Sequence, residues 1–598
     1  MQSPPSPRRR RARALLRLLL VAALCLAAIL AFSTSSSSPA RALLVVPRRG
    51  GQPLTTVRAV PRRAPPQQGL DAVLLPDWEV LLVLHPDDED GDAPPAGNAT
   101  ATTRCVFPGG AASPARPLGR LATSGRRAYT CAVPEPERRS HKKQLRAPRL
   151  IEDGGGSDDE AAGRSPPEST TASRATAMHR WSGRRLVYDA AAARDGSGDV
   201  LVFAKGVNPR QGVNRDAADV RCVYYAMMGG GGGGGAVASL PASTSAQQVF
   251  RCPPPPAAAG EEHRHLRVTL AVAGDEEPSI PSMATYSISE QPRKQKANNN
   301  TSLVCACTMV RDVGKFLREW AVYHAAVGVD RFFLYDNGMG GDGDGDGLMS
   351  AEVHRLRRDL TPSVSVSAVA WPWPKTQEAG FSHAAAAHVE ECEWMAFIDV
   401  DEFVFSPSWA ASPEPARSML RSLVGVAGGV APDVGQVTLG CRDFGPSGRT
   451  RHPSEGVTQG YTCRRRAVER HKSLVRLRAV GRPLLNSVHH FELRAGFRWE
   501  RSRRAGVNHY KYQAWDEFKA KFRRRVSTYV ADWTEPVNRG SRDRTPGLGF
   551  QPVQPVGWPN RFCDVHDTLL SDVTRRWFGD GFTNKGKHRC LFQGLLIN

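Results

Sequence analysis

At 598 residues the chain is too long for a single hydrophobic core and should fold as two or more domains. Its formal net charge of +21 points to anionic partners, among which nucleic acid is the first to consider. The N-terminus argues against a nuclear role. Arg8 to Arg11, Arg13 and Arg17 make residues 1–17 a basic tail, and an uncharged run from Leu18 to Phe32 follows. Counting its flanks, that run reaches roughly the 20 residues that span a bilayer, so residues 18–34 read as a signal-anchor helix with the basic side in the cytoplasm. A cleaved signal peptide has the same layout and is the rival reading.

Beyond the membrane, Asn98, Asn299 and Asn300 begin Asn-x-Ser/Thr triplets, and eleven of the twelve cysteines follow the apolar run. Both features fit a lumenal, disulfide-permissive compartment. Residues 35–69 are rich in Ser, Pro, Arg and Gly, with little to bury, and read as a flexible stem. From 70 to 288, short apolar runs alternate with turn residues: Trp78 to Leu84, Leu186 to Tyr188, Val200 to Ala204, Val220 to Tyr225, Gln248 to Cys252 and Leu266 to Val272. That texture predicts a β-rich, sandwich-like domain. Polar insertions from Glu152 to Thr176 and the glycines Gly229 to Gly235 read as disordered. Cys105 with Cys131, and Cys222 with Cys252, are expected bridges. The residues of this domain favour a spacer over a sugar-binding module.

After the polar stretch Ser289 to Asn300 the pattern changes to α/β, and the second domain is expected to run from 301 to 598. Leu303 to Val310 reads as a strand ending at Arg311-Asp312. Lys315 to Val327 has a helical period, with Phe316, Trp320, Tyr323 and Val327 on one face. Arg331 to Asp336 is a second strand ending in Asn337-Gly338, Val364 to Trp371 a third, and Thr376 to Glu390 a helix. The apolar run Met395 to Ile398 then meets Asp399-Val400-Asp401-Glu402 before Phe403 to Phe405 resumes it. Carboxylates interrupt a buried strand only where something offsets their charge, and a divalent cation is the usual compensation. This order of elements predicts a parallel sheet, whose ligands bind at the carboxyl ends of the strands. Arg311, the Asp336-Asn337 pair and Asp399 with Asp401 all fall at such ends.

Asp342 to Gly347 imitates a calcium loop but fails at the twelfth position, Val353, where a bidentate Glu is required. Further on, Cys441 to Gly448 reads as a turn-rich loop, and Glu469-Arg-His-Lys472 as the approach to a short strand. His489-His490 and Val507 to Lys511 follow, then a basic helix carrying Trp515, Phe518, Phe522, Val526 and Trp533. A histidine near the Asp pair would complete a cation's coordination, with Lys472 and Lys511 neutralising phosphates.

The runs Val304-Cys-Ala-Cys-Thr-Met-Val-Arg-Asp312, Leu317-x-Glu-Trp-x-x-Tyr-His324, Phe333-Leu-Tyr-Asp-Asn337, Phe397-Ile-Asp-Val-Asp-Glu-Phe403 and Val507-Asn-His-Tyr-Lys511 resemble plant glycosyltransferase family 92, which includes β-1,4-galactan synthases. Ala204 to Asn208 and Gln248 to Cys252 are similar to the amino-terminal domain of those synthases, regarded as a carbohydrate-binding sandwich. The pattern departs after Gln377, where His383-Ala384 stands in place of a His-Cys pair.

The resemblance implies a GT-A nucleotide-sugar-binding domain and an inverting transfer of a hexose from a UDP-sugar, UDP-galactose in the galactan synthases. It also implies Mn²⁺ as cofactor, a polysaccharide or glycan acceptor, and a single-pass type II protein of the Golgi membrane; a homodimer is left open. Carried over by position, Asp399, Asp401 and His509 would hold the metal, and Arg311, Asp336 and Asn337 would flank the nucleotide. Among Glu469, Asp443 and Glu402, Glu469 is the expected catalytic base, since His471 and Lys472 beside it would hold it ionised. Its competing reading is a plain ion pair with Arg470 or Lys472. A metal-dependent hydrolase and a non-catalytic sugar-binding protein on the same fold are the rival functions.

Overall fold

The computed structural model describes residues 69–521 and 554–582, apart from 77, 87–102, 140–145, 153–171, 183–184, 209–212, 228–232, 257–264, 276–278, 289–300, 339–347, 426–428 and 488. All described residues fall within one compact unit, Pro65–Asn598. The expected anchor (18–34), the stem as far as residue 68 and the acidic glycine loop lie outside the described residues. So does the basic helix from Phe522 onward. Among the described residues no helix is long and apolar enough to cross a membrane.

The N-terminal region is built of strands, as its short apolar runs demand. An eight-stranded sheet is centred on Gly69–Leu74 paired antiparallel with Glu79–Leu84. Two four-stranded sheets follow and face each other across Val200, Val202 and Phe250 on one side and Tyr224, Leu266 and Val268 on the other. Both expected disulfides form: Cys105–Cys131 lies in the eight-stranded sheet, and Cys222–Cys252 ties the two smaller sheets together.

The two insertions expected to be disordered are corrected at their edges. Gly233–Pro241 is a strand paired with Val220–Met227, and a Cβ on Gly234 would come 2.7 Å from that of Ala226, so the glycine serves a close approach. Glu152 ends a strand, and Ala172–Arg180 is another, paired in parallel with Gly69–Leu74. In both cases backbone pairing overrides a composition with little to bury, from the preceding strand for Gly233–Pro241 and from distant strands for Arg149–Glu152 and Ala172–Arg180.

The C-terminal region is a ten-stranded mixed sheet, not a wholly parallel one. Strands β1 (Ser302–Val310), β2 (Arg331–Asp336), β3 (Ser365–Ala370) and β4 (Cys392–Phe397) run parallel in the order β3-β2-β1-β4. Helix α1 (Gly314–Val327) buries Phe316, Trp320, Tyr323 and Val327, the face its period predicted. Helix α2 (Leu348–Asp359), unread in the sequence, joins β2 to β3 and packs on β3. Helix α3 (Gln377–Ala387) joins β3 to β4.

Beyond β4 the sheet mixes antiparallel with parallel pairings. Strand β5 (Glu402–Phe405) is separate from β4, and β6 (Val434–Phe444), β7 (Cys463–Arg476), β8 (Arg498–Arg501) and β9 (Gly506–His509) complete the site side. Two sequence expectations are corrected here. Cys441 to Phe444 belong to β6, with the turn starting only at Gly445. Glu469 to Lys472 lie inside the fourteen-residue β7. Cys305 of β1 bonds Cys392 of β4, and Cys307, two residues on, is free and buried.

The two regions share one hydrophobic core. Trp181, Tyr188 and Phe203 pack with Trp371, Trp373 and Phe381, and Trp181 stacks on Trp373 at 5.8 Å. The β-rich region is therefore built into the C-terminal one, not held off as a spacer. A buried ionic knot joins its own sheets: Asp71 accepts from Arg126 and Arg267, each at 2.8 Å. Burial pushes the Asp71 carboxyl up, but Arg267, His85 and Arg126 outweigh it and hold it well below the usual range. A carboxyl depressed in the fold contributes stability that is present above its unfolded pKa, roughly 3.9, and is lost as pH falls through its folded value. Asp71→Asn should cost about 3 kcal/mol near neutrality by leaving the Arg126 guanidinium buried without its anion. The difference in melting temperature from the parent should shrink below about pH 4; a difference independent of pH would refute the charge argument.

Candidate functional site

The carboxyl ends of β1 and β4 and the bulged middle of β7 open onto a cavity of about 1000 Å³. Its floor is the turn after β4. The Glu402 N–H donates to the Asp399 carbonyl at 3.0 Å, and the Asp399 N–H donates back to Glu402 Oε2 at 2.9 Å. This reciprocal closure makes a tight bend and sends the Asp399, Asp401 and Glu402 side chains to different partners.

Strand register then assembles the centre. Glu402 on β5 is the direct cross-strand partner of His509 on β9, and His509 is the partner of Asp443 on β6. Opposed residues on neighbouring strands bring their Cβ atoms within roughly 5 Å, so three residues far apart in sequence form one row. The Tyr510 N–H donates to the Asp401 carbonyl at 2.9 Å and fixes the turn to the end of β9. Ligand atoms of Asp401, Glu402 and His509 thereby lie within 4.8 Å of one another. His509 Nδ1 hydrogen-bonds Asp443 Oδ1 at 3.0 Å, which leaves Nε2 facing Asp401 Oδ2 at 3.7 Å and Glu402 Oε1 at 3.6 Å. A carboxylate holding the far ring nitrogen is the support that metal-binding histidines commonly have. Two carboxylate oxygens and one oriented imidazole fit a hard divalent cation such as Mn²⁺.

Asp399 stands outside that group. Its Oδ2 lies 3.0 Å from Lys472 Nζ and 3.5 Å from His489 Nε2, and its Oδ1 accepts from Gln377 at 3.2 Å. Burial works against ionising Asp399, yet Lys472 and His489 hold its carboxyl well below the usual value. Asp401 is opposed by burial in the same way and is held down by Lys521 and His509. Lys472 is buried, also lies 2.7 Å from Glu402 Oε1, and donates to His489 Nε2 at 2.6 Å. Burial lowers its pKa, but Asp399 and Glu402 outweigh that and raise it. Lys511 donates to Asp443 Oδ2 at 2.8 Å. Burial would raise the Asp443 carboxyl, yet His509 and Lys511 depress it.

Glu469 faces the cavity because β7 carries a bulge. Gly440 pairs with His471 and Arg442 with Val468, so β7 has one residue more than β6 between those pairs, and Arg470 takes a φ of 60°. Bulges of this kind re-aim side chains beside sites. The Glu469 carboxylate is paired with Arg465, not with Arg470 or Lys472, and its side chain is 37% exposed. Of the other base candidates, Asp443 is committed to His509 and Lys511, and Glu402 is wholly buried.

Arg311 lines the cavity, whereas Asp336 and Asn337 do not. Both Asn337 amide hydrogens go to backbone carbonyls, of Trp371 and Trp373, each at 2.8 Å. The Asp336 carboxyl caps the Gly338 N–H, and burial, with Asp312 nearby, raises it to about 6. Sequence reasoning passed over Glu402 as a candidate cation ligand and Lys521 altogether. Glu402 stood in the quoted motif, but nothing local says that it, and not Asp399, opposes His509. His383, at the departure from the family pattern, is buried and hydrogen-bonds Tyr335 at 2.8 Å. The β-rich region supplies Gly206, Asn208, Gln247 and Gln248 to the cavity wall.

Comparison with known proteins agrees in one direction. Residues 300–538 match the model of glycosyltransferase family 92. The chain is similar to family 92 proteins of Arabidopsis thaliana (45% identical, over 51% of this chain and 52% of the relative) and of Oryza sativa subsp. japonica (42%, over 54% and 55%). It thus spans about half the length of these two. A family 92 protein of Ricinus communis is 40% identical over 69% of this chain and 70% of its own length. A solved pullulanase from Anoxybacillus aligns over 44% of this chain and 38% of its own at a TM-score of 0.11 and 7% identity, which carries no argument.

Proposed function

Since the chain belongs to glycosyltransferase family 92, we propose that it is an inverting hexosyltransferase of GT-A type. It moves a sugar, galactose first among the candidates, from a UDP-sugar to a cell-wall polysaccharide. The observation that carries this reading is the convergence of Asp401, Glu402 and His509, with Asp401 and His509 on the wall of a cavity rich in lysine, arginine and histidine and Glu402 buried behind them. Those three residues would hold a divalent cation, which supplies charge neutralisation at the diphosphate leaving group.

The chain's own residues do the rest. Arg311, Lys511 and Lys521 line the same cavity and give it the positive potential that attracts a nucleoside diphosphate. Asp443 keeps His509 oriented. Lys472 offsets the charge of Asp399 and Glu402 in place of solvent. Glu469, the partly exposed carboxylate on the bulge, is positioned to take the proton of the acceptor hydroxyl as the new bond forms on the opposite face of the sugar. Golgi residence by an N-terminal anchor belongs to the same reading, and the basic charge of the chain suits an acidic, pectin-like acceptor.

The test is UDP release by the full-length protein from a panel of UDP-sugars, with Mn²⁺ and with a chelator. Release from one sugar nucleotide that stops on chelation supports the reading. A folded protein that turns over none of them, or one that is indifferent to chelation, refutes it.

A further inference from the structure

Trp499 is 55% exposed, the only tryptophan among the exposed large hydrophobic residues described. It sits on β8, a strand exposed along its whole length, which pairs in parallel with β6 through the Gln436–Trp499 and Thr438–Arg501 positions. Trp499 and Arg501, two residues apart on one strand, share a face of the sheet. A Cβ on Gly440 would lie 2.7 Å from Val468 Cγ1 and 3.3 Å from Arg501 Nη2, so both of those side chains lie over bare backbone. Val468 is itself 45% exposed. The result is a shallow apolar surface with a guanidinium beside it.

That surface is continuous with the cavity. The His490 ring meets Trp499 edge-to-face at 5.9 Å, and His490 Nδ1 lies 3.1 Å from His471 Nε2. Both histidines line the cavity wall beside Glu469. Gln436 fixes the arrangement, since its Nε2 is 2.8 Å from His490 Nδ1 and its Oε1 accepts from the Phe491 N–H at 2.9 Å. An exposed indole held in place by a buried amide, with ring nitrogens leading inward, matches a pyranose ring. Such a ring offers an apolar C–H face to the indole and hydroxyls to the imidazoles.

We infer that Trp499, with Val468, His490 and His471, forms a platform for the acceptor polysaccharide. The indole carries a sugar unit a few residues back from the end that enters the cavity. This assignment rests on the transferase reading for the acceptor's role, but the platform itself is a claim about glycan binding. Trp499 is then a positioning residue that sets acceptor register and length preference.

The test is direct binding of β-1,4-galactan heptasaccharide to the full-length protein without donor, with oligogalacturonide of equal length as the acidic arm. Trp499→Ala should weaken binding of the preferred oligosaccharide at least about tenfold, as truncating a buried tryptophan anchor does. Trp499→Phe should keep most of the affinity, and the melting temperature should hold in both variants because the side chain packs on so little. Preference between the two oligosaccharides tells whether Arg501 reads a carboxylate. Unchanged affinity in Trp499→Ala, or no binding of either oligosaccharide by the parent protein, overturns the platform even if UDP-sugars are turned over. Binding that depends on Trp499 in a protein that turns over no sugar nucleotide keeps the platform and refutes the transferase reading instead.

Discussion

Asp401→Asn is expected to lower sugar transfer by at least on the order of 10²- to 10³-fold while the protein stays folded. The substitution keeps the shape of a buried side chain and removes only its charge. Asp401 is one of the two carboxylates facing His509 Nε2, so the variant loses half the anionic charge that would hold a cation there. Lys521, its present partner, is partly exposed and can be solvated once released, which limits the structural cost. The readouts are kcat/KM for the preferred UDP-sugar, Mn²⁺ affinity and melting temperature, measured together. A variant with parental turnover and an unchanged Mn²⁺ requirement would remove Asp401 from the site. The companion Asp399→Asn should be milder for Mn²⁺ affinity, because Asp399 faces Lys472 and not His509.

Lys472→Met is expected to have the largest effect on stability. The ammonium is buried between Asp399, Glu402 and His489, and Glu402 has no solvent exposure at all. Methionine has similar bulk and no charge, so the variant leaves a carboxylate in the interior without a counter-ion. Breaking such a pair costs about 3–5 kcal/mol. At about 2 °C per kcal/mol for a large unit, the melting temperature should fall by about 6–10 °C.

The sign of the pH dependence follows from the shifts. Lys472 is raised, so its contribution is present below its unfolded pKa of roughly 10.4 and is lost only as pH rises beyond it. Asp399 is depressed, so its contribution is present above roughly pH 3.9 and fades as pH falls. The gap between parent and variant should therefore be flat from about pH 5 to 9 and narrow below about pH 4. Thermal melts across that range decide it, and a gap that widens in acid would contradict the proposed pairing.

Much of this site was legible before any coordinates. The strand that runs into Asp399 and Asp401 and the strand end at Arg311 were marked by local pattern, where an apolar run meets charges that cannot be buried unpaired, whereas His509 was singled out only by the family resemblance. Asn337 shows the limit of that reasoning. It stands at a strand end beside Asp336, as a nucleotide contact would, yet its amide is spent on the Trp371 and Trp373 carbonyls, and no local feature distinguishes the two uses. Glu469 shows the opposite case. Its sequence neighbours predicted partners among Arg470 and Lys472, but the bulge in β7 turns it to Arg465 and sends Lys472 to the floor of the cavity.

Periodicity, composition and motif spacing alone determined the parallel strands β1 to β4, helices α1 and α3, and a carboxylate cluster where β4 ends. Two disulfides and the family resemblance were legible as well. Only the tertiary structure decided that Glu402 joins Asp401 and His509 while Asp399 turns to Lys472, and that the β-rich region shares a core and a cavity wall with the rest. The reason is that strand pairing is non-local. Side chains alternate from face to face along a strand, so which carboxylate meets His509 depends on the register of β5 against β9 across about a hundred residues of chain, and no local pattern encodes that register.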